Sequence, residues 1–411
     1  MFTINQLNNR QNTSPEDISL LSSLLEVIAG SFKGPMTTND FIIAERYRYL
    51  NQDKGAQLFY ITNDDKDNEL VTLFIFYARE GNLPDSRNIG VSLVSTNPEY
   101  RKQGWVSKLM HWAIAYYETG VSTIEDTNIH IAESISNGTS QQYIDAEIPS
   151  HIRESENINW TLYSIVDQFY ARFGFHADPL TSWLTIQSTD VAGKFESFEL
   201  DPTRESAISV KEMDAYFTES KYNLDENLDN ESYNCAFSAS SAREFCEISI
   251  DYYIQNKHNI DDADALAEYF SKNTGIHITD HETGEETVVI LSPFFLPSII
   301  LVSKVFTSAQ TEEKFLAHWS RALQYIYTYC NKVWSSTPST ERARPSDFSV
   351  AFIDADFVCK TGSVSRDRLK QIVVEQNGWK NHHPHMLPMI RIWGHPERAA
   401  HIAHNGMWCI M

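Results

Sequence analysis

The chain has 411 residues and a formal net charge of −22, from 33 Lys and Arg against 55 Asp and Glu. Hydrophobic residues make up 42% and aromatics 12%, enough to bury substantial cores, which excludes wholesale disorder and suits two domains or one elaborated one. An acidic surface repels phosphate backbones, so no nucleic-acid partner is expected; a cationic substrate would suit it, with acidity for solubility alone as the ordinary alternative.

The five cysteines, Cys235, Cys246, Cys330, Cys359 and Cys409, are widely spaced and form no CxxC pair. That argues against a disulfide framework or a structural zinc site and for a reducing, cytoplasmic setting. Met1–Gln6 carries no basic stretch leading into an apolar one, so no signal peptide is expected. The most apolar run, 291–306, is broken by Pro293 and Pro297 and is shorter than the ~20 residues of a spanning helix, so no membrane partner is expected.

In chain order, residues 17–32 have helical spacing with Ser14 or Asp17 available as cap, and a second helix is predicted near 38–50. Strands are predicted at 56–61, 70–77 and 88–95, separated by turn-rich 63–67 and 81–85. A helix follows Gly104, with Met110, Ala113, Ile114 and Tyr117 on one face. Residues 119–157 are polar and read as a mobile surface insertion. A strand at 158–164, a helix at 167–173 and a final strand within 181–187 complete a mixed α/β domain over 1–200. The second half, 201–411, opens on an acidic, Asn-rich connection at 221–233. Strands at 286–292 and 298–306, a helix after Thr311 and a strand at 348–353 then follow. Strand, strand, helix, strand repeats the core order of the first half, compatible with a second, degenerate copy of that fold.

The segment Gly90–His111 runs from an apolar strand through a Pro-stopped turn and a basic Gly-containing loop into an amphipathic helix. A helix start offers unpaired N–H groups and the positive dipole end. Gly104 lets backbone approach a ligand, and Arg101 and Lys102 add positive charge to an acidic chain. Such a loop holds a pyrophosphate. It lacks the spacing of a Walker loop or a dinucleotide fingerprint.

Arg101-Lys102-Gln103-Gly104-Trp105-Val106, introduced by Pro98-Glu99-Tyr100, resembles motif A of the GNAT superfamily, Arg/Gln-x-x-Gly-x-Gly/Ala, with Val106 where that family prefers Gly or Ala. Tyr170, Gly174 and Phe175 match the family's Tyr-x-x-x-Gly-Phe ending. The resemblance implies a GNAT-type twisted mixed sheet flanked by helices and acetyl-CoA as co-substrate. Its pantetheine would lie along Val94, Ser95 and Thr96, and its pyrophosphate on Arg101, Lys102, Gln103, Gly104, Trp105, Val106 and Ser107. Tyr170 would be the acid that protonates the departing coenzyme A thiolate.

Leu162-Tyr163-Ser164 with Phe169-Tyr170-Ala171 is further similar to fungal lysine N-acetyltransferases, as are Phe32–Phe41, Leu387-Pro388, Trp393-Gly394 and Met407-Trp408-Cys409. Ile165 stands where that family has Asp, with Asp167 nearby. The implied acceptor is the side-chain amine of free L-lysine. Another amine (a polyamine or protein lysine) and a non-catalytic acetyl-CoA-binding regulator are the alternatives, and a monomer or weak dimer is expected.

No spacing selects a general base. The Met411 carboxylate is a candidate base or amine ligand, a packed or frayed tail being the ordinary outcome. The histidines at 382, 383, 385, 395, 401 and 404 complete no recognised ligand set, so no metal is expected. The turn between Phe306 and Thr311 lacks the basic loop, so the second half is expected to bind no coenzyme A and to cover the amine site.

Overall fold

Two eight-stranded sheets organise the chain, and each borrows a strand from the other half of the sequence. The structure is a computed structural model; it describes residues 1–9, 14–32, 38–51, 55–80, 87–119, 123–136, 158–164, 166–177, 183–187, 198–218, 233–236, 263–292, 299–336, 349–353, 357–360, 362–377, 379–382, 387–392 and 401–403.

The first half begins with β1 (Phe2–Asn8), α1 (Pro15–Phe32) and α2 (Thr38–Leu50). Next come β2 (Ala56–Asn63), β3 (Glu69–Glu80) and β4 (Arg87–Thr96). They are followed by α3 (Trp105–Thr119), β5 (Ile129–Ile131), α4 (Glu133–Ser136), β6 (Ile158–Ser164), α5 (Asp167–Ala171), β7 (His176–Ala177) and β8 (Trp183–Gln187). The second half supplies β9 (Glu205–Ile208), α6 (Met213–Thr218), β10 (Tyr233–Ala236), α7 (Ala263–Lys272), β11 (Gly275–Thr279), β12 (Glu286–Ser292), β13 (Ile299–Thr307) and α8 (Glu312–Ser336). It ends with β14 (Ser349–Ile353), β15 (Phe357–Cys359), α9 (Arg366–Asn377), β16 (Lys380–His382), β17 (Leu387–Ile392) and β18 (His401–Ala403).

The first sheet runs β5-β1-β2-β3-β4-β6-β17-β7, with β1/β5 and β4/β6 parallel and the other pairs antiparallel. Its two faces are sorted by alternation along the strands. Leu58, Tyr60, Leu73 and Ile75 meet Leu21, Leu25, Ile28 and Phe41 of the α1–α2 layer. Phe59, Phe74, Phe76 and Val91 meet Leu109, Trp112, Ala113 and Tyr116 of α3 on the other face. The α1 start is a reciprocal cap: Asp17 N–H donates to Ser14 Oγ at 3.1 Å while Ser14 N–H donates to Asp17 Oδ2 at 3.1 Å, with Pro15 opening the helix.

Several expectations change. β1 was not foreseen; its alternation is broken by polar Asn5, Gln6 and Asn8, and it is held by pairing with β2 rather than by local pattern. Part of the 119–157 stretch is built into the fold, because Ile129 and Ile135 are buried and β5 adds to the sheet edge beside β1; residues 137–157 lie outside the described residues. The strand foreseen within 181–187 forms, but as β8 of the second sheet, paired with β14 and β16. Its place beyond β6 is taken by β17, from the far end of the chain. The connection at 221–233 lies outside the described residues up to Tyr233.

The second sheet runs β16-β8-β14-β13-β12-β11-β9, with β15 also on β13. Its β12–β13 antiparallel pair, the helix α8 and the parallel strand β14 repeat the order of β3, β4, α3 and β6. No helix among the described residues is long and apolar enough to cross a membrane.

Candidate active site

Parallel strands β4 and β6 pair only from Arg87 opposite Ile158 to Gly90 opposite Thr161. Beyond that register no pairing between the two strands occurs among the described residues, although β4 continues to Thr96 and β6 to Ser164. Each strand keeps its outer partner: β4 stays on β3, and Leu162, Tyr163 and Ser164 pair with Met389, Pro388 and Leu387 of β17. The inner edges therefore separate at the carboxyl ends of adjacent parallel strands, a place where open α/β sheets bind ligands.

A bulge shapes the β4 wall of this gap. Between the pairs Ile75–Ser92 and Leu73–Ser95, Leu93 and Val94 stand opposite Phe74 alone. Leu93 has φ 52, a left-handed conformation that costs a side-chain-bearing residue about 1–3 kcal/mol. Simple alternation would put Ile89, Val91 and Leu93 on one face. Instead Leu93 turns into the α1–α2 cluster and Val94 takes the α3 face. Thr72 pins the strand just after the bulge, donating from Oγ1 to the Ser95 carbonyl at 2.6 Å.

The loop after β4 is tied down at its first turn. Asn97 donates its N–H to the Val71 carbonyl at 2.9 Å and its side-chain amide to the Leu70 carbonyl at 2.9 Å. Buried Tyr100 donates to Glu69 Oε2 at 2.6 Å and accepts from Asn63 Nδ2 at 3.0 Å. The Tyr100 hydroxyl and the Lys66 ammonium hold the Glu69 carboxyl below its ordinary range. The exposed stretch Arg101–Gly104 then includes two left-handed residues, Lys102 at φ 64 and Gly104 at φ 80. Gly104 accepts the Lys108 N–H at 3.1 Å, which opens α3 with no acidic residue in its first turn. The first-turn N–H groups of Trp105, Val106 and Ser107 have no intrahelical acceptor by position.

The backbone of this loop fits a diphosphate: it has alternating left-handed residues and a helix start, and it carries two cations, Arg101 and Lys102. Not every side chain foreseen here contributes. Trp105 is 7% exposed and packs on Phe2 in the core, leaving its N–H as its contribution to the loop. Gln103 is spent locally, donating to the Glu99 carbonyl at 3.3 Å and accepting from Trp105 Nε1 at 3.1 Å. Arg101 reaches back to the Thr96 carbonyl at 3.3 Å and to Ser31 of α1 at 3.4 Å.

Tyr170 stands at the corresponding end of β6. The chain leaves β6 at Ser164, whose Oγ accepts the Val166 N–H at 2.8 Å, and enters α5 directly. The Tyr170 ring is buried against Phe169 and Phe175, and burial pushes its phenol above the ordinary value. The phenol is therefore protonated at neutral pH. Its hydroxyl makes no hydrogen bond among the described residues. The sequence thus places a basic loop after β4 and a phenol after β6, the two strands that part.

The second sheet differs at the matching place. β14 pairs with β13 at Ile299–Leu301, and β15 then pairs with Val305–Thr307, filling the position left open beside β4. Glu312 and Glu313 occupy the first turn of α8, where charge of that sign opposes an anion. Ile165 and Met411 lie outside the described residues, as do His383, His385, His395 and His404.

No family model and no curated protein matches the sequence. Among solved structures, a GCN5-related N-acetyltransferase from Kribbella flavida is 13% identical, with a TM-score of 0.41 over 95% of this chain and 72% of that one. A probable N-acyltransferase from Enterococcus faecalis V583 is 12% identical, with a TM-score of 0.41 over 95% and 73% of the two chains. A GCN5-related N-acetyltransferase from Anabaena variabilis is 12% identical, with a TM-score of 0.40 over 94% and 73%.

Proposed function

We propose that this chain is an acetyl-CoA-dependent N-acetyltransferase of GNAT type that acetylates the side-chain amine of free L-lysine by direct attack. One observation carries the reading: β4 and β6 part after Gly90 and Thr161, with the Arg101–Ser107 loop following β4 and Tyr170 following β6 in the chain. In this reading acetyl-CoA supplies the activated acyl group. Val94, Ser95 and Thr96 hold its pantetheine arm in the gap, and the 101–107 backbone with Arg101 and Lys102 holds its pyrophosphate. An N–H of the bulged strand faces the oxygen on which charge develops.

The neutral amine attacks the thioester carbon and the C–S bond breaks. The thiolate takes the Tyr170 proton, and the surplus proton of the attacking nitrogen is shed through solvent and restores the phenol. Burial raises that phenol, so it is protonated when the thiolate forms. The first sheet, which takes β17 from the second half, forms the catalytic part. The second sheet, which takes β8 from the first half, forms a degenerate copy that covers the amine site and binds no coenzyme A. The closed position beside β13 supports that division. The five widely spaced cysteines suit a cytoplasmic enzyme, and a monomer or weak dimer completes the proposal.

The test is a mass-spectrometric screen for acetylated products, with acetyl-CoA and a panel of L-lysine, polyamines and lysine peptides. Acetyl-lysine as the main product supports the full reading. A different acetylated amine retains the reaction and replaces the acceptor. Cofactor binding by calorimetry with no product from any amine leaves a regulator that senses acetyl-CoA.

A further inference from the structure

Glu118, in the last turn of α3, and Arg391, in β17, form a buried ion pair between the two halves of the chain; their side chains are 8% and 11% exposed. Arg391 Nη1 donates to Glu118 Oε1 and Nη2 donates to Oε2 at 3.1 Å, while Trp160 Nε1 donates to Oε1 at 2.9 Å. The remaining guanidinium donor, Nε, goes to the Phe173 carbonyl at 2.8 Å. Phe173 closes the turn that carries Tyr170, since its N–H and that of Phe175 both donate to the Tyr170 carbonyl, at 2.9 and 3.4 Å.

Replacing a buried ion pair by apolar groups is often neutral for stability, so the value of this one lies in what it orients. A planar guanidinium with three donors committed fixes three elements together: the end of α3, strand β6 through Trp160, and the turn after α5. Arg391 also sits opposite Trp160 in the β17–β6 register, so the strand that forms the outer support of the gap carries the clamp. We propose that Arg391, held by Glu118, is a positioning residue for Tyr170, acting through the Phe173 carbonyl. The far end of the chain then sets where the proton donor stands. This rests on the reading of Tyr170 as the acid.

The test is a cycle on the full chain. Glu118→Gln with Arg391→Met removes both charges together, so neither is left buried alone, and retains an acceptor for Trp160. Circular dichroism and thermal unfolding check that the variant is folded. A misplacement of about 1 Å predicts a kcat loss on the order of 10²-fold, with the KM for acetyl-CoA unchanged. Arg391→Lys, which retains a cationic donor, recovers part of the loss. The decisive arm repeats the double substitution in a Tyr170→Phe background, where kcat should change by less than about twofold. An equal loss in both backgrounds overturns the positioning role while leaving Tyr170 as the acid. An undiminished kcat for Tyr170→Phe alone, with chemistry limiting, removes the acid and the inference together.

Discussion

Thr72 on β3 donates its hydroxyl to the carbonyl of Ser95 on β4, one residue past the Leu93–Val94 bulge. The bond is buried and short, at 2.6 Å, and it holds the strand where its backbone turns toward the gap. Thr72→Val preserves the shape and removes the donor. It should cost about 1–2 kcal/mol in urea unfolding and weaken acetyl-CoA binding, with Thr72→Ser restoring both. Unaltered affinity in the valine variant would show that the bulge does not shape the cofactor wall.

A methyl group at Gly104 would meet nothing within 4 Å, so space is not what selects glycine there. The left-handed φ of 80 is. Gly104→Ala should lose about 1 kcal/mol of stability through that strain. Binding of acetyl-CoA, measured by calorimetry, should weaken about tenfold, because the loop relaxes away from the geometry that gathers its N–H groups.

Tyr170→Phe removes a hydroxyl that makes no hydrogen bond among the described residues while preserving the ring contacts with Phe169 and Phe175. Stability should be unchanged. The chemical rate, followed by thiol release under single-turnover conditions, should fall by about 10²–10⁴-fold. A fall in stability without a fall in rate would make Tyr170 a packing residue.

His318 of α8 accepts or donates at Thr287 Oγ1, 3.0 Å away, and burial pushes its imidazole down to about 4. Lys314 and His277 push in the same direction, and Asp280 and Glu205 oppose them. Because the folded value lies below the unfolded one of 6.5, the unfolded chain binds the extra proton first. This group's contribution is therefore full above pH 6.5, declines as the pH falls toward about 4, and is constant below that. His318→Gln should flatten the urea midpoint between those pH values; an unchanged slope would place the acid sensitivity elsewhere.

Gly275 opens β11 against β12, and a Cβ there would run into the Val289 carbonyl and stand 3.2 Å from Ile290 Cα. Both neighbours are sheet backbone and cannot swing aside. Gly275→Ala should therefore lose about 1–3 kcal/mol, read as a lower urea midpoint with the 101–107 loop unaffected.

Local chemistry was sufficient for much of the first half. The spacing around Met110, Ala113 and Tyr117 specifies α3, the run 158–164 specifies β6, and Pro98 with Gly104 marks the loop between them. These signals lie within a few residues of one another, because helix periodicity, capping and left-handed turns are properties of adjacent peptide units. The ion pair that ties α3 to β17 was not visible in this way. Glu118 and Arg391 are 273 positions apart, and nothing local to either marks the other as its partner.

The sequence by itself determined the main helices and most strands of the first half, the basic loop and the presence of a phenol near Gly174. Only the tertiary structure decided that β17 replaces β8 beside β6, that β4 and β6 separate after Gly90, and that β15 fills the matching position on β13. Strand pairing is set by which hydrogen-bonding edges remain unpaired once the chain has collapsed. No local pattern encodes which distant edge will satisfy them.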